Sequence, residues 1–236
     1  MTPISDPDPG VEMRICFSSE IWPGQAWPWC YFTEETAALH IGLADGPFQR
    51  VGELRFQVAD VEGMFNDDMR FSDTFEVNQE MQGLFAQVFD EYHLPKASVL
   101  RVASALTEEP PRNAGLLYLD ALTIDPRFQG HNLGLLLLRE VIQQRRASAG
   151  LVLLKAFPRL AQDRAGRKLP PMELRQARRK LYDYFAKLGF GLLGQPIRGA
   201  GYMVRSTEYE LPPFELLMRH TDDWEARLQA ILRAPA

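Results

Sequence analysis

Apolar and polar positions alternate over several short stretches of the chain, as is typical of β-strands. Residues 11–18, 37–43 and 51–59 have this composition, and Asp45-Gly46-Pro47 predicts a turn between the last two. Residues 116–124 (LLYLDALTI) have the strongest strand pattern in the chain, and residues 151–157 (LVLLKAF) read as a buried strand. We predict further strands over residues 97–106, 190–194 and 201–206.

Other stretches repeat their apolar residues at helical spacing. Residues 79–92 do so before Pro95, and a second helix is expected to follow the short loop after Pro126 and to end at Ala149-Gly150. A third helix is predicted from Pro171 to about Leu188, after a basic loop, and a fourth over residues 222–233. Strands interleaved with helices predict an α/β (α+β) protein with a mixed sheet and helices packed on it.

The composition fits a folded protein with a large core. Hydrophobic residues make up 46% of the 236 residues and charged residues 24%. We find no run of apolar residues long enough to cross a membrane and no signal peptide, and the two cysteines have no metal-ligand spacing. We therefore expect a cytoplasmic protein without a metal site, preceded by a disordered leader over residues 1–10. An aromatic stretch at residues 22–32 is expected to be a packed loop.

Charge is distributed unevenly along the chain. Residues 1–126 contain 7 Lys/Arg and 21 Asp/Glu, whereas residues 127–205 contain 16 and 4. The basic part is suited to an anionic ligand and the acidic part to a cationic one, although charged runs of this kind are also common on solvated faces. The net charge of −5 argues against nucleic-acid binding.

The segment from Leu122 to Gly134 has the most informative local pattern. A strand ends at Pro126, and a short loop rich in small residues opens directly into a helix, so that backbone N–H groups and the helix dipole favour an anion such as pyrophosphate. A P-loop is excluded because the chain lacks Gly-Lys-Ser/Thr, and no Gly-x-Ser-x-Gly motif supports a serine hydrolase. The Gly-x-Gly-x-x-Gly at residues 189–194 follows a helix instead of a strand, and we attribute it to chance.

The loop resembles the pyrophosphate-binding signature of the GNAT N-acetyltransferase superfamily. Gln129-Gly130-His131-Asn132-Leu133-Gly134 matches the family pattern of Arg or Gln, two residues, Gly, one residue, then Gly or Ala, except that Asn132 stands where a glycine is usual. Leu122-Thr123-Ile124-Asp125-Pro126 is similar to the family's strand end, and residues 184–190 (YFAKLGF) are similar to its second signature. The resemblance covers roughly residues 97–206.

This resemblance implies a three-layer α/β/α fold with a central mixed sheet, here with an enlarged N-terminal half (residues 11–96) and an extra C-terminal helix (within residues 207–236). It also implies binding of acetyl-CoA and direct acyl transfer to an amine, without an acyl-enzyme. The residues expected to bind the donor are Leu122, Thr123, Ile124, Gln129, Gly130, His131, Asn132, Leu133, Gly134 and Phe185.

Candidates for proton transfer are less sharply defined. By the period of two, Asp120 is expected on the strand face of Leu122 and Ile124, either as a general base or as a solvated or salt-bridged carboxylate. Tyr118 would share that face and could order water. Phe185 occupies the position of the family's frequent tyrosine acid, so Tyr182 or Tyr184 is expected to substitute, with a slight preference for Tyr182, unless the thiolate leaves unassisted.

Two functions stay open from the sequence. The first is an N-acetyltransferase that takes a coenzyme A thioester and a cationic amine acceptor, with Arg127, Arg175 and Arg178 as contributors to the donor side. The second is a GNAT-fold protein that binds an acyl-CoA or a protein partner without turnover. No membrane partner is expected, and a dimer is compatible with the sequence.

Overall fold

A computed structural model describes most of the chain. It covers residues 10–20, 31–69, 79–92, 94–105, 111, 113, 115–157, 170–194, 201–218 and 223–234. The expected leader lies outside the described residues except for Gly10, as do most of the aromatic loop and the basic loop. Among the described helices, none is long and apolar enough to cross a membrane.

Seven strands of the described chain form one mixed sheet. In chain order they are β1 Val11–Glu20, β2 Phe32–Leu43, β3 Gln49–Ala59, β4 Leu116–Ile124, β5 Leu151–Lys155, β6 Gly191–Leu192 and β7 Tyr202–Ser206. Their spatial order is β1-β2-β3-β4-β5-β7-β6. The β4–β5 pair is parallel and the other pairs are antiparallel, so the predicted mixed sheet is confirmed.

Seven helices accompany this sheet in the described part of the chain. They are α1 Val61–Asn66, α2 Gln79–Val88, α3 Ala97–Ala103, α4 Leu133–Arg145, α5 Pro171–Ala186, α6 Phe214–Met218 and α7 Trp224–Arg233. A 3₁₀ turn, Pro126–Phe128, leads into α4.

Helices cover both faces of the sheet, because alternate strand residues enter two different cores. In β4, Leu117 and Leu119 belong to a first core that also contains side chains of α4, α6 and α7. Leu116 and Tyr118 belong to a second core that contains side chains of α1, α2 and α3. This arrangement gives the three layers expected from the resemblance, and the fold-class prediction is confirmed.

The strand predicted over residues 97–106 is wrong, because this segment forms helix α3. Its apolar residues fit either structure by composition, but Val99 and Ala103, four residues apart, are the ones that are buried. A spacing of four places both side chains on one face of a helix. That face packs into the second core, so tertiary packing determines the structure of this short apolar segment.

Candidate functional site

Strand β4 continues beyond the strand that lies parallel to it. The ladder joins residues 116–119 to residues 151–154, and β5 ends at Lys155. The last residues of β4, Leu122 to Ile124, therefore extend past β5 and line one wall of a pocket of about 740 Å³.

A tight turn brings the chain from the end of β4 to the start of α4. The Asp125 carboxylate accepts a hydrogen bond from the Arg127 backbone N–H at 2.9 Å, which caps the 3₁₀ turn. The Gln129 side-chain amide donates to the Ile124 carbonyl at 3.0 Å and fastens the loop to the strand. Gly130 and Asn132 then adopt left-handed backbone angles, with φ of 89° and 55°.

This turn leaves backbone N–H groups available at the start of α4. Within the described residues, the N–H groups of Gly130 through Gly134 have no protein acceptor, whereas the Leu135 and Leu136 N–H groups donate to the Asn132 carbonyl at 2.9 and 3.1 Å. Together with the positive end of the dipole of this 13-residue helix, the free N–H groups form a site suited to an anion.

Gly134 lies where the loop, β4 and α5 meet. A Cβ atom at this position would lie 2.7 Å from the Tyr184 hydroxyl oxygen and 3.0 Å from Leu122 Cδ2. Contacts below about 3.0 Å do not occur for real side chains, so any larger residue here would force the Tyr184 or Leu122 side chain, both of which line the pocket, to shift.

Tyr184 reaches the pocket from α5. Its largely buried hydroxyl lies over Gly134, and burial raises the pKa of Tyr184 to about 12, although a backbone hydrogen bond with Leu135 acts in the opposite direction. The phenol is therefore neutral throughout the physiological pH range.

Most of the residues predicted to bind the donor line this one pocket. They are Leu122, Thr123, Ile124, Gln129, Gly130, Asn132, Leu133 and Gly134, joined by Tyr184 from the predicted catalytic set. The other lining residues are Pro126, Phe128, Ala177, Lys180 and Leu181. The roles of these residues in binding and catalysis remain predictions.

Three other predicted residues lie outside the lining. Phe185 is buried in the first core, with its ring centroid 6.4 Å from that of Phe190. Tyr182 packs against Gly201, and its buried hydroxyl has no hydrogen-bond partner among the described residues. The pKa of His131 is lowered, first by burial and then by the nearby charge of Arg227.

The expected position of Asp120 is corrected by a β-bulge. Arg55 pairs with Ala121 and Phe56 pairs with Leu119, so Asp120 is an extra residue in β4. Leu122 and Ile124 pack against the first core, whereas the Asp120 carboxylate lies 3.2 Å from Arg55 Nη2 on the opposite face. The bulge breaks the period of two on which the expectation depended.

Tyr118 is also on the opposite face from Leu122. It is buried in the second core at 5% exposure and does not line the pocket beside Leu122.

A second, smaller cavity lies beside Asp120. It has a volume of about 250 Å³, and its lining includes Glu34, Glu35, Arg55 and Asp120. Asp120 pairs with Arg55 and Glu35 pairs with Arg145 of α4, so that among the described residues the Glu34 carboxylate is left as the excess negative charge at this cavity. Because Asp120 is only two residues from Leu122, the two cavities approach the same stretch of β4.

Lys180 lines this pocket but was not among the site residues predicted from the sequence. Ala177, Lys180, Leu181 and Tyr184 follow one another at intervals of three, one and three along α5, which places them on one face. That spacing from Tyr184 is the signal that could have identified Lys180. Arg127, which the charge distribution suggested as a contributor to donor binding, instead forms an ion pair with Asp125 at 2.9 Å.

Among the described residues, no group of three or more His, Cys, Asp or Glu side chains is placed to hold a metal ion.

Comparison with known proteins identifies only distant structural neighbours. No family model matches the chain, and no curated protein matches it. Arabidopsis thaliana NAA60 in complex with acetyl-CoA is 12% identical, with 82% of this chain and 98% of that chain covered and a TM-score of 0.37. An agmatine N-acetyltransferase in apo form is 16% identical, with 73% and 75% covered and a TM-score of 0.34.

A third solved structure is the KacTA–DNA complex. It is 14% identical, with 74% of this chain and 69% of that chain covered and a TM-score of 0.37. An N-acetyltransferase is thus among the solved structures similar to this chain. The absence of a nucleic-acid partner stays a prediction.

Proposed function

We propose that the protein is an N-acyltransferase that binds a coenzyme A thioester, acetyl-CoA in the first instance, in the pocket between β4, α4 and α5. The observation that carries the proposal is the continuity of the largely apolar wall at Leu122 to Ile124 with the free N–H groups of Gly130 to Gly134. An extended ligand with an apolar arm and a pyrophosphate matches both parts. A volume of about 740 Å³ lies within the ~300–1,000 Å³ typical of ligand sites.

The first test is thiol release from acetyl-CoA in the presence of a panel of amines. Amine-dependent release supports an acyltransferase. Binding of coenzyme A without release by any amine would instead favour the alternative, an acyl-CoA-binding protein without turnover, for which the burial of Phe185 at the usual tyrosine position is the supporting observation.

Acyl transfer to an amine requires a neutral amine, stabilisation of the carbonyl oxygen and a stable leaving thiolate. An amine of pKa ~10.4 is neutral in about one molecule in 10³ at pH 7, so a base must remove its proton. Backbone N–H groups near Leu122–Ile124, as the resemblance implies, would polarise the thioester carbonyl. The acyl group passes directly from sulfur to nitrogen, and coenzyme A leaves as the thiolate.

We assign the stabilisation of the leaving sulfur to Tyr184, since Tyr184 lines the pocket and Tyr182 does not. Transfer of a proton from a phenol of pKa about 12 to a thiolate of pKa ~8.5 would be uphill by about 5 kcal/mol. Tyr184 therefore acts by donating a hydrogen bond to the developing thiolate, which afterwards takes its proton from water.

We expect Tyr184→Phe to lower kcat by about 10-fold or more because the hydrogen bond to the sulfur is lost in the transition state. The matched control is Tyr182→Phe, which should change kcat less than twofold. Because the pKa of Tyr184 is raised, the wild-type kcat profile should show no loss of rate from its ionisation up to about pH 11. Equal rates for Tyr184→Phe and wild type would exclude this role.

The acceptor is proposed to bind at the cavity beside Asp120, whose lining comes from both faces of the sheet: Arg55 and Asp120 from one face, and Phe56 of the first core from the other. Asp120 is the proposed base, acting directly or through water on the ammonium group of a bound amine. Asp120 is paired with Arg55 at 3.2 Å, and the carboxylate in excess at this cavity favours a cationic acceptor such as a small polyamine, an aminoglycoside-like amine or a protein lysine or N-terminus.

We expect kcat/KM for a cationic acceptor to fall as ionic strength rises. The reason is that the Debye length shortens from about 30 Å at 0.01 M to about 8 Å at 0.15 M and screens the attraction. The measurement is kcat/KM against salt for a dicationic amine and for a neutral amine of similar size. Asp120→Asn should reduce both rate and salt dependence, and a flat profile for the wild type would contradict a cationic acceptor.

A further inference from the structure

The left-handed turn before α4 is tied to a distant part of the chain. Asn132 Nδ2 donates a hydrogen bond of 2.8 Å to the carbonyl of Leu217, 85 residues further on, in α6. The side-chain amide of Asn132 is thereby directed to the C-terminal segment (residues 212–218), while its backbone lies in the loop with the free N–H groups.

The C-terminal segment is itself firmly packed. Leu217 and Met218 are 5% and 2% exposed in the first core. Arg139 Nε donates a second hydrogen bond of 2.8 Å to the Pro212 carbonyl, just before α6. Arg139 lies seven residues after Asn132, about two helical turns, so both hydrogen bonds join the same face of α4 to the same segment.

The conformation of Asn132 is one of several open to asparagine. Its φ of 55° and ψ of 12° are left-handed, which costs most residues with a Cβ roughly 1–2 kcal/mol and asparagine less. Glycine adopts these angles without that cost but leaves the loop free to adopt others. Asparagine held by the Leu217 carbonyl restricts the loop to the angles at which the N–H groups of Gly130 to Gly134 have no protein acceptor among the described residues.

We propose that Asn132 is a positioning residue, and that its hydrogen bond to the Leu217 carbonyl makes the C-terminal segment part of the anion-binding site. The segment holds the loop in its binding conformation before the ligand arrives. This inference rests on the proposed function for the identity of the anion, the pyrophosphate of coenzyme A, but the restraint on the loop is a property of the free protein.

Two variants remove the two connections separately. Asn132→Gly keeps the left-handed angles accessible and removes the amide donor, and Arg139→Met removes the bond to Pro212 at a residue that does not line the pocket. The matched control is Asn113→Gly, which removes a side-chain bond of 3.2 Å to the Ala147 carbonyl, just beyond the opposite end of α4, and the bond of 3.0 Å that Asn113 Oδ1 accepts from the Gly115 N–H.

Hydrogen exchange in the free protein tests the restraint on the loop. The Leu135 and Leu136 N–H groups donate to the Asn132 carbonyl, and their exchange should accelerate about 10-fold in Asn132→Gly and by a smaller factor in Arg139→Met. Asn113→Gly should leave it unchanged. Unchanged exchange in both test variants would overturn the proposal, whatever ligand the protein binds.

Calorimetry with coenzyme A tests the consequence for binding. Loss of one such hydrogen bond should weaken affinity about 5- to 10-fold in Asn132→Gly and detectably in Arg139→Met. A weaker affinity for Asn132→Gly together with wild-type exchange would mean that Asn132 contacts the ligand directly, which also overturns the proposal. Failure of the wild type to bind coenzyme A would refute the proposed function, and the exchange rates would still decide whether the segment restrains the loop.

Discussion

Gly134→Glu is expected to abolish coenzyme A binding, with an affinity at least about 100-fold below that of the wild type. The new side chain would enter the pocket where a Cβ already lies 2.7 Å from the Tyr184 hydroxyl and 3.0 Å from Leu122 Cδ2. It would also place a carboxylate among N–H groups that are suited to the negative charge of a pyrophosphate. Both steric and electrostatic effects act against the ligand, and calorimetry with coenzyme A measures their sum.

The matched control for this variant is Gly83→Glu. Gly83 also lies in a helix, α2, but a Cβ there meets no other atom within 4 Å, so the same substitution should leave coenzyme A affinity unchanged. Gly134→Ala separates the two effects, because it adds the close contact without the charge and should weaken binding less. Undiminished affinity of folded Gly134→Glu, with folding checked by circular dichroism, would place the donor elsewhere.

The donor pocket could be predicted largely from the sequence because its parts are local. Gln129 to Gly134 are contiguous, and the strand, turn and helix that surround them follow from short-range patterns. Tyr184 reaches the same pocket from α5 because the second signature, residues 184–190, begins in the last turn of that helix, which ends at Ala186. The choice between Tyr182 and Tyr184 depended on the rotation of α5 against α4, which the sequence does not specify.

The features that the sequence did not reveal depend on contacts between distant residues. The bulge that turns Asp120 away from Leu122 is a property of the register between β3 and β4. Helix α3 is stabilised in place of a strand by a core built mostly from other segments. The hydrogen bond from Asn132 to Leu217 joins residues 85 apart, and no local pattern indicates it.

Arg205→Met is expected to lower the free energy of unfolding by about 3 kcal/mol. Arg205 is fully buried, and its guanidinium donates to the carbonyls of Leu188, Ser206 and Tyr209, which joins the end of α5 to β7 and to the segment before α6. Removing it leaves three carbonyl oxygens without this donor, at a cost of ~1–3 kcal/mol each.

The desolvation cost of the buried Arg205 charge partly offsets these lost hydrogen bonds and determines the net change in the free energy of unfolding. Burial lowers the pKa of Arg205 from 12.5 to about 10, so its removal relieves about 3 kcal/mol of desolvation. Losses of about 6 kcal/mol for three carbonyls, taken at ~2 kcal/mol each, still exceed that relief. Urea denaturation measures the difference.

Arg205→Lys should recover only part of the stability that Arg205→Met loses, because an ammonium group cannot reproduce the planar fork of donors of a guanidinium. The control is Arg14→Met, whose exposed pair with Glu12 at 3.3 Å and contact with the Phe48 ring at 3.8 Å should together contribute no more than about 1–2 kcal/mol. Unfolding free energies that are equal for Arg205→Met and wild type would mean that the three carbonyls find other donors and that this arginine does not hold the C-terminal segment to the sheet.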